Sequence, residues 1–334
     1  MRDSEKKSRR RMWLRCIGFF VILAILLEVV SNLFVHFAVS NKGSSLLKRN
    51  GAEVDLLSQD RDSIDVLVLG DSEAYSSFSP LQVYHDTGIT SFVAAQPIQT
   101  VSEMKHMLTV GLRHQHPRVV LLETDTLYCD FGSIYGMKSV LDQTVNNLFP
   151  VFQYHNLWKL FGNEDHSQAE ISFWKGYQMS SEVRPFTDLQ NYMAPSDQQK
   201  KLLWLNLLVL KQIRRQVENA GTQLVLYSSA SPYYYNMATH NYLTRLADEW
   251  GITYIDLNTA SEEIGIDWNK DTKDGGEHLN DAGAWKATEY LIGILEKMDL
   301  PDHRGDSAYS RWDEMADQFL VQVKNNIAQI NEQQ

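Results

Sequence analysis

Two stretches of this sequence carry the residue types that acyl transfer requires. Residues 64–80 (IDVLVLGDSEAYSSFSP) begin with an apolar run and continue as Gly-Asp-Ser, which ends at Ser72. Residues 274–283 (DGGEHLNDAG) place His278 among acids and glycines, just before an apolar helical pattern. A serine hydroxyl hardly ionises at neutral pH, so it acts as a nucleophile only beside a base such as histidine. The two stretches therefore predict nucleophilic catalysis if the fold brings Ser72 and His278 together.

Apolar runs and helical patterns alternate along the chain after residue 63. The runs that predict strands lie at residues 64–69, 90–94, 118–123, 222–227 and 252–257. The helical patterns lie at residues 101–114, 199–220, 237–250 and 282–298. This order predicts a three-layer, flavodoxin-like α/β fold with a parallel sheet of about five strands. Ligands bind at the carboxyl ends of the strands in such sheets, and Ser72 follows the first strand directly.

The combination of an early Gly-Asp-Ser turn and a late Asp…His-Leu-Asn…Gly loop resembles the SGNH, or GDSL-like, hydrolase superfamily. The resemblance implies an SGNH-type sheet, with Ser72 as the nucleophile and His278 as the general base. It also implies an aspartate shortly before the histidine, which orients the imidazole ring. The Gly-x-Ser-x-Gly elbow of the α/β-hydrolases does not occur around Ser72, so that family is disfavoured.

The orienting acid departs from the family spacing. The family places it three residues before the histidine, and Gly275 occupies that position here. Asp274 lies four residues before His278, and the flexible glycines between them allow it to turn back onto the ring. Asp271 and Glu277 are the alternatives. No metal or cofactor is predicted, because the acids around the histidine match no known cation-binding loop.

The oxyanion hole also departs from the family pattern. The backbone amide of Ser72 is one expected donor, because a tetrahedral oxyanion needs preorganised N–H groups. The family adds a glycine after the second strand and an asparagine after the third. Here Ala95 or Gln96 stands at the first of these positions and Thr124-Asp125 at the second, and Gln96 or Gln99 is the candidate substitute donor. An aspartate donates a hydrogen bond only when it is protonated.

Residues 128–195 interrupt the alternation and are rich in aromatic side chains. Loops of this length are unusual unless they are functional. Because the segment follows the third strand, we expect it over the ligand crevice, as a lid that stacks on sugars or shelters an acyl chain. The alternative is a satellite hydrophobic cluster that only packs. Residues 301–334 carry one more helical pattern, which we expect to pack on the domain or to reach a partner.

The amino-terminal residues predict a membrane anchor. Residues 1–15 contain seven Lys or Arg and two acids, a net charge of +5, and residues 16–39 are mostly apolar. A helix needs about 20 apolar residues to span a bilayer, and basic flanks stay in the cytoplasm. We therefore expect a cytoplasmic tail, a transmembrane helix, a stalk (residues 40–62) and an extracytoplasmic SGNH-like domain (residues 63–300). The alternative is a cleaved signal peptide, although no small-x-small site follows the apolar run.

The charge balance excludes one class of partner. The chain has a net charge of −11, which leaves −16 for residues 16–334, and so acidic a domain is a poor nucleic-acid binder. An anchored, outward-facing domain is similar to bacterial proteins that modify cell-envelope or exported glycans, such as the D-alanine transfer protein and polysaccharide O-acetylation proteins. The resemblance implies an acyl-ester hydrolase or O-acyltransferase that works through an acyl-serine.

Several partners follow from that resemblance. The substrate would be an acylated glycan or a small acyl ester, and a membrane-embedded acyltransferase would be a partner protein. The alternative is a non-catalytic binding or accessory module of a cell-envelope assembly complex, which the departures around the oxyanion hole favour.

Overall fold

The computed structural model describes residues 2–129, 133–161 and 174–333. At its centre is a parallel sheet of five strands, which are β1 (Val66–Gly70), β2 (Ser91–Ala95), β3 (Val119–Glu123), β4 (Gln223–Ser228) and β5 (Thr253–Asp256). The strands lie in the order β2-β1-β3-β4-β5, and every neighbouring pair is parallel. This is the strand order of flavodoxin-like folds. The predicted α/β class and its five-stranded parallel sheet are confirmed.

Helices connect the strands and flank the sheet. They are α1 (Arg2–Ser40), α2 (Gly51–Leu57), α3 (Ser72–Ser77), α4 (Pro80–Thr87), α5 (Val101–His114), α6 (Ser133–Leu148), α7 (Val151–Tyr154), α8 (Trp204–Asn219), α9 (Met237–Trp250), α10 (Ser261–Ile264), α11 (Asp281–Leu295) and α12 (Ser310–Glu332). Short 3-10 helices lie at Ser45–Asn50, Asp125–Tyr128, His155–Leu160 and Ser307–Tyr309. The helices α5 and α9 have the bounds that their apolar spacing predicts.

The sheet buries side chains on both faces, which explains its continuous apolar runs. Successive side chains of a strand point to opposite faces. In β1, Leu67 and Leu69 pack with α5, α8 and α9 on one face, whereas Val66 and Val68 pack with α3, α4 and α11 on the other. The helix α12 covers this second layer, where Phe319 is fully buried. The carboxyl-terminal tail therefore packs on the domain, as one of its two predicted alternatives states.

The segment expected to be a stalk, residues 40–62, is helical and partly packed. In α2, Val54 and Leu56 are fully buried. Glu53 is also buried, and its carboxylate accepts hydrogen bonds from the Tyr154 hydroxyl (2.6 Å) and from Gln153, and contacts His106 Nε2 (2.8 Å). These partners lie far along the chain, so the polar composition of the segment did not indicate its packing.

The aromatic segment, residues 128–195, divides into parts that pack on different elements. The helix α6 lies along α5, and α7 packs against α1. Farther along, Tyr177 is buried with Phe319 of α12 at a ring distance of 6.0 Å. Phe186 packs with the second helical layer, next to Gly276. Phe173, which the aromatic pattern included, lies outside the described residues.

Candidate functional site

Ser72 lies where the sheet, a sharp turn and a short helix meet. The strand β1 ends at Gly70, where an added Cβ would lie 2.6 Å from Ala74 Cβ and 2.7 Å from Glu123 Cβ, so the close approach requires glycine. Asp71 then caps α3, because its side chain accepts a hydrogen bond from the Glu73 amide at 3.1 Å. This is the bracing role that turn chemistry predicts for Asp71. Ser72 begins α3 at the carboxyl edge of the sheet.

The loop between α10 and α11 positions His278. Thr272 and Leu279 form an antiparallel bridge across it, and the Lys273 amide donates to the His278 carbonyl at 3.1 Å. Gly275 and Gly276 turn the chain between these pairs, with φ values of 83° and 89°. Such positive φ values are easily adopted only by glycine. The loop thereby folds back on itself.

Asp274 holds His278 with both of its carboxylate oxygens. Oδ1 accepts the backbone N–H of His278 at 2.7 Å, and Oδ2 lies 2.5 Å from Nδ1 of the ring. Burial acts to raise the pKa of Asp274, but the two hydrogen bonds from His278 outweigh it, and the pKa is lower than usual. Asp274 is therefore ionised at neutral pH and fixes the ring with Nε2 on its other side.

The two alternative acids have other partners. The Asp271 carboxylate contacts Lys286 Nζ at 2.7 Å and accepts the Asp267 amide at 2.7 Å. The Glu277 carboxylate accepts the Tyr234 hydroxyl at 2.6 Å. Among the described residues, Asp274 is thus the acid that contacts the imidazole at Nδ1.

Ser72 and His278 are related through the buried residue Glu73. His278 Nε2 lies 3.8 Å from Glu73 Oε1, and Glu73 directly follows Ser72 in α3. His278 Nε2 is buried and has no hydrogen-bond partner among the described residues, so the Ser72 hydroxyl does not bond to it. Burial, followed by the charge of Asp71, raises the pKa of the nearby Tyr75 to about 12.

Glu73 is one of four buried carboxyl groups at this edge of the sheet. Asp71, Glu73, Glu123 and Asp125 are all less than one tenth exposed. Burial, followed by Glu123, Asp125 and Asp71, raises the pKa of Glu73 well above its usual range. Burial, followed by Asp71 and Asp125, does the same for Glu123. Like charges packed this closely cannot all ionise, so the cluster is largely protonated at neutral pH.

Asp125 is the member of the cluster that directly follows Thr124 at the end of β3. Burial, followed by repulsion from Asp71, raises its pKa to about 8. Its carboxyl oxygen Oδ2 is 3.9 Å from Cys129 Sγ, and its amide donates to Glu123 Oε2 at 2.8 Å. Below pH 8 Asp125 is mainly a neutral acid, which has an O–H to donate. The sequence placed Asp125 at this edge but gave no sign of its protonation state.

The glutamine candidates are also buried at this end of the sheet. Gln96 follows β2 at 9% exposure, and Gln99 is fully buried, with neither amide atom bonded among the described residues. No hydrogen bond in the described part of the chain joins Gln96 or Gln99 to Ser72 or His278. Of the predicted site residues, the structure joins Asp274 to His278 directly. Ser72 precedes Glu73, whose carboxyl group is 3.8 Å from His278 Nε2, and Asp125 lies in the acid cluster.

Within the part of the chain that the structure describes, two groups of side chains could hold a metal ion. Asp71, Asp125 and Cys129 form one, and Asp274, Glu277 and His278 form the other, with the ligand atoms of each group lying within 4.8 Å of one another. In the second group, both oxygens of Asp274 already bond to His278.

Sequence reasoning did not single out Glu73, Glu123 or Lys273. Lys273 Nζ donates to Ser76 Oγ of α3 at 2.9 Å. Burial lowers the pKa of Lys273. A charged residue at the end of the apolar run 118–123 was the only local signal for Glu123. Such a residue is as typical of a strand end as of a site, so the burial had to come from the structure.

Comparison with known proteins identifies no family. No protein-family model matches the chain, and no curated protein matches it. Among solved structures, the chain is similar to a gut microbial diltiazem-metabolizing enzyme, with 12% identity and a TM-score of 0.25. The match covers 72% of this chain and 47% of that enzyme's chain, so this chain spans about half of the enzyme's length.

Proposed function

We propose that the protein is a serine-dependent acyl-ester hydrolase or O-acyltransferase of the SGNH type. Ser72 is the nucleophile, His278 is the general base, and Asp274 orients the base. The observation that carries the proposal is the double contact of Asp274 with His278, at 2.7 and 2.5 Å, beside the start of α3. The test is to treat the full-length protein with a fluorophosphonate and to locate the adduct by mass spectrometry, which we expect on Ser72.

The proposed reaction proceeds through an acyl-serine. As Ser72 Oγ attacks the ester carbonyl carbon, its proton passes to His278 Nε2, and the carbonyl π electrons move to the oxygen. Asp274, on the opposite side of the ring, stabilises the imidazolium that forms. The intermediate then collapses, and the leaving alkoxide takes the proton from His278. Water or a sugar hydroxyl next attacks the acyl-serine, again giving its proton to His278, and Ser72 is regenerated.

In this reaction Asp125 serves as an oxyanion donor in its protonated form. It follows β3, where the resembled family has an asparagine, and a neutral carboxyl group can donate as an amide does. Its raised pKa, caused by burial and by Asp71, keeps that proton in place at neutral pH. The backbone amide of Ser72 is the second donor. Gln96 and Gln99 remain candidates for a third.

Replacing Asp125 tests this role. Asp125→Asn should keep most of the activity, whereas Asp125→Leu should lower kcat by about 10²- to 10³-fold, the usual effect of removing one oxyanion donor. In the unchanged protein, activity should fall as pH rises through about 8, because Asp125 then loses the proton that it donates. Asparagine does not titrate, so Asp125→Asn should lose that alkaline decline. Equal losses in both variants across the pH range would contradict the role.

One observation favours a second candidate function, a non-catalytic binding module. The Ser72 hydroxyl makes no hydrogen bond to His278 Nε2. A binding module needs no such bond, whereas in an enzyme the bond would have to form when substrate binds, as catalytic hydrogen bonds often do. The fluorophosphonate test separates them, because a binding module would leave Ser72 unlabelled.

We also propose that α1 anchors the domain outside the membrane. Among the described residues, one helix is long and apolar enough to span a bilayer, at Arg9–Ser40, and its 18-residue apolar window has a mean hydropathy of 2.4. The basic residues before it favour a cytoplasmic amino terminus. Its last turns also pack on the domain: Ser31 and Ala38 are almost fully buried there. Cleavage as a signal peptide would remove these contacts, which supports a retained anchor.

Protease accessibility tests the proposed topology. Protease added to intact spheroplasts should degrade the domain after residue 40, because the +5 tail holds residues 1–15 inside. An epitope placed at the amino terminus should survive until the membrane is permeabilised. Protection of the whole domain in intact spheroplasts would overturn the topology, and with it a cell-envelope glycan as the proposed substrate.

A further inference from the structure

The segment that follows α6 packs around the outer end of α1. The Val151 amide donates to Ser31 Oγ at 3.2 Å. The Phe161 ring lies 5.1 Å from the Phe37 ring and 6.2 Å from the Phe34 ring. The helix α7 and the 3-10 helix His155–Leu160 both contact α1. If α1 spans a bilayer from its basic end, these contacts lie at the level where the helix leaves the lipid on the opposite side.

Large aromatic side chains project from this segment without being covered. Phe152, Trp158 and Phe161 are 48%, 57% and 63% exposed. Soluble surfaces rarely group such side chains. Aromatic residues, tryptophan above all, are enriched where a membrane protein crosses from lipid to water. Phe152, Trp158 and Phe161 lie beside the outer end of α1, where an aromatic belt at the lipid–water boundary would lie.

The helix α6 extends the uncovered apolar surface. Its exposed apolar residues recur at helical spacing on one side of the helix, and they are Ile134, Met137, Leu141, Val145 and Leu148. The opposite side faces α5, where Ser139 is buried. Lys138 and Asp142 are exposed beside the stripe, as on helices that lie in the plane of a membrane surface. We call these five residues the α6 stripe.

We propose that the α6 stripe and the aromatic side chains of residues 152–161 are inserted into the outer leaflet of the bilayer that α1 spans. The occupant of this surface is the acyl region of the lipids. The inference rests on the continuity of the α6 stripe with the anchor helix. Leu148 ends α6 only three residues before Val151, whose amide donates to Ser31 of α1. The inference rests on the proposed anchoring by α1 and is independent of the chemistry at Ser72.

The direction in which α6 runs places the edge of the sheet that carries Ser72 relative to the bilayer. Near the start of α5, at the carboxyl edge of the sheet, Ser139 contacts Thr100 and Ser102 at 2.9 and 2.7 Å. Asn147 contacts His106 farther along α5 at 3.0 Å. The helix α6 therefore runs from the edge that carries Ser72 toward α1. With its stripe in the leaflet, α6 holds that edge close to the membrane surface, which favours substrates that are themselves attached to the membrane.

Photo-crosslinking to lipid tests the inference. The full-length protein is placed in phosphatidylcholine bilayers that contain a phospholipid with a diazirine in its acyl chain, irradiated and mapped by mass spectrometry. We expect adducts on α1, on the α6 stripe and on residues 152–161. Val321 of α12 is an exposed apolar residue (66%) and serves as the internal control. The helix α12 packs on α4 and α11, on the other face of the sheet from α5 and α6, so we expect no lipid adducts on α12.

A charge variant sharpens the test. Because carboxylates are excluded from hydrocarbon, Met137→Glu with Leu141→Glu should lower the α6 adducts about tenfold while the α1 adducts persist. Val321→Glu is the matched control and should change neither. A thermal melt of each variant checks the fold. Adducts on α1 without adducts on α6 would overturn this inference alone. Absence of adducts from α1 as well would overturn the proposed anchoring.

Discussion

Replacing Ser72 by alanine is expected to abolish labelling by a fluorophosphonate and to lower ester turnover on the order of 10⁵- to 10⁶-fold, as loss of a nucleophilic serine does. The physical reason is that acyl transfer through an acyl-serine has no other route once the hydroxyl is gone. The fold should be unaffected, because Ser72 is partly exposed and its side chain leaves no large cavity. Labelling yield, turnover and thermal midpoint are the measurements.

Ser76→Ala is the matched control for that experiment. Ser76 lies on the same helix, is buried at 1% exposure, and accepts a hydrogen bond from Lys273. Its loss should therefore affect stability slightly and leave labelling in place. Labelling that persists in Ser72→Ala would reject Ser72 as the nucleophile. Absence of labelling in the unchanged protein, together with saturable glycan binding, would favour the binding-module alternative.

The fold could be predicted because its signals are local. The strand β1 is a run of apolar residues, and such runs are typical of strands buried on both faces. Thr100 caps the start of α5: its hydroxyl accepts the Glu103 amide, while the Glu103 carboxylate accepts the Thr100 amide. This capping box fixes the first residue of the helix from four letters of sequence. The bounds of α5 were predicted from its apolar spacing, and the structure adds the capping box that stabilises its first turn.

The packing of residues 40–62 and 133–161 could not be predicted in the same way. Glu53 is buried because His106, Gln153 and Tyr154 converge on its carboxylate from distant parts of the chain. From its composition alone, the segment of residues 40–62 was predicted to be a polar stalk. Contacts between residues that lie about 50 to 100 positions apart in the sequence leave no periodic pattern in it. Such contacts become visible only in the tertiary structure.

The site shows the same division between local and distant contacts. Asp274 and His278 are four residues apart, and the glycines between them already indicated that the acid could turn back onto the ring. The proximity of Glu73 to His278 joins positions 205 residues apart, and no spacing rule covers it. The protonation of Asp125 depends on burial beside Asp71, which is likewise a property of the folded chain.

His278→Ala is expected to cost as much turnover as Ser72→Ala, because members of a triad act as a unit. Asp274→Asn should cost somewhat less, about 10⁴-fold, since the residual base still accepts the proton but loses its fixed tautomer and its counter-charge. The amide can no longer accept at both of the contacts, 2.7 and 2.5 Å, that Asp274 makes with His278. Single-turnover acylation rates and steady-state kcat are the measurements.

The two neighbouring acids provide the controls that make this prediction specific. Asp271→Asn removes the ion pair with Lys286 and should lower the thermal midpoint more than the acylation rate. Glu277→Gln should leave the rate within a few fold, because its carboxylate accepts from Tyr234 and makes no hydrogen bond to the ring. A loss of acylation in Glu277→Gln as large as that in Asp274→Asn would transfer the orienting role to Glu277. Since Nδ1 of His278 lies 2.5 Å from Asp274, we expect the loss to follow Asp274.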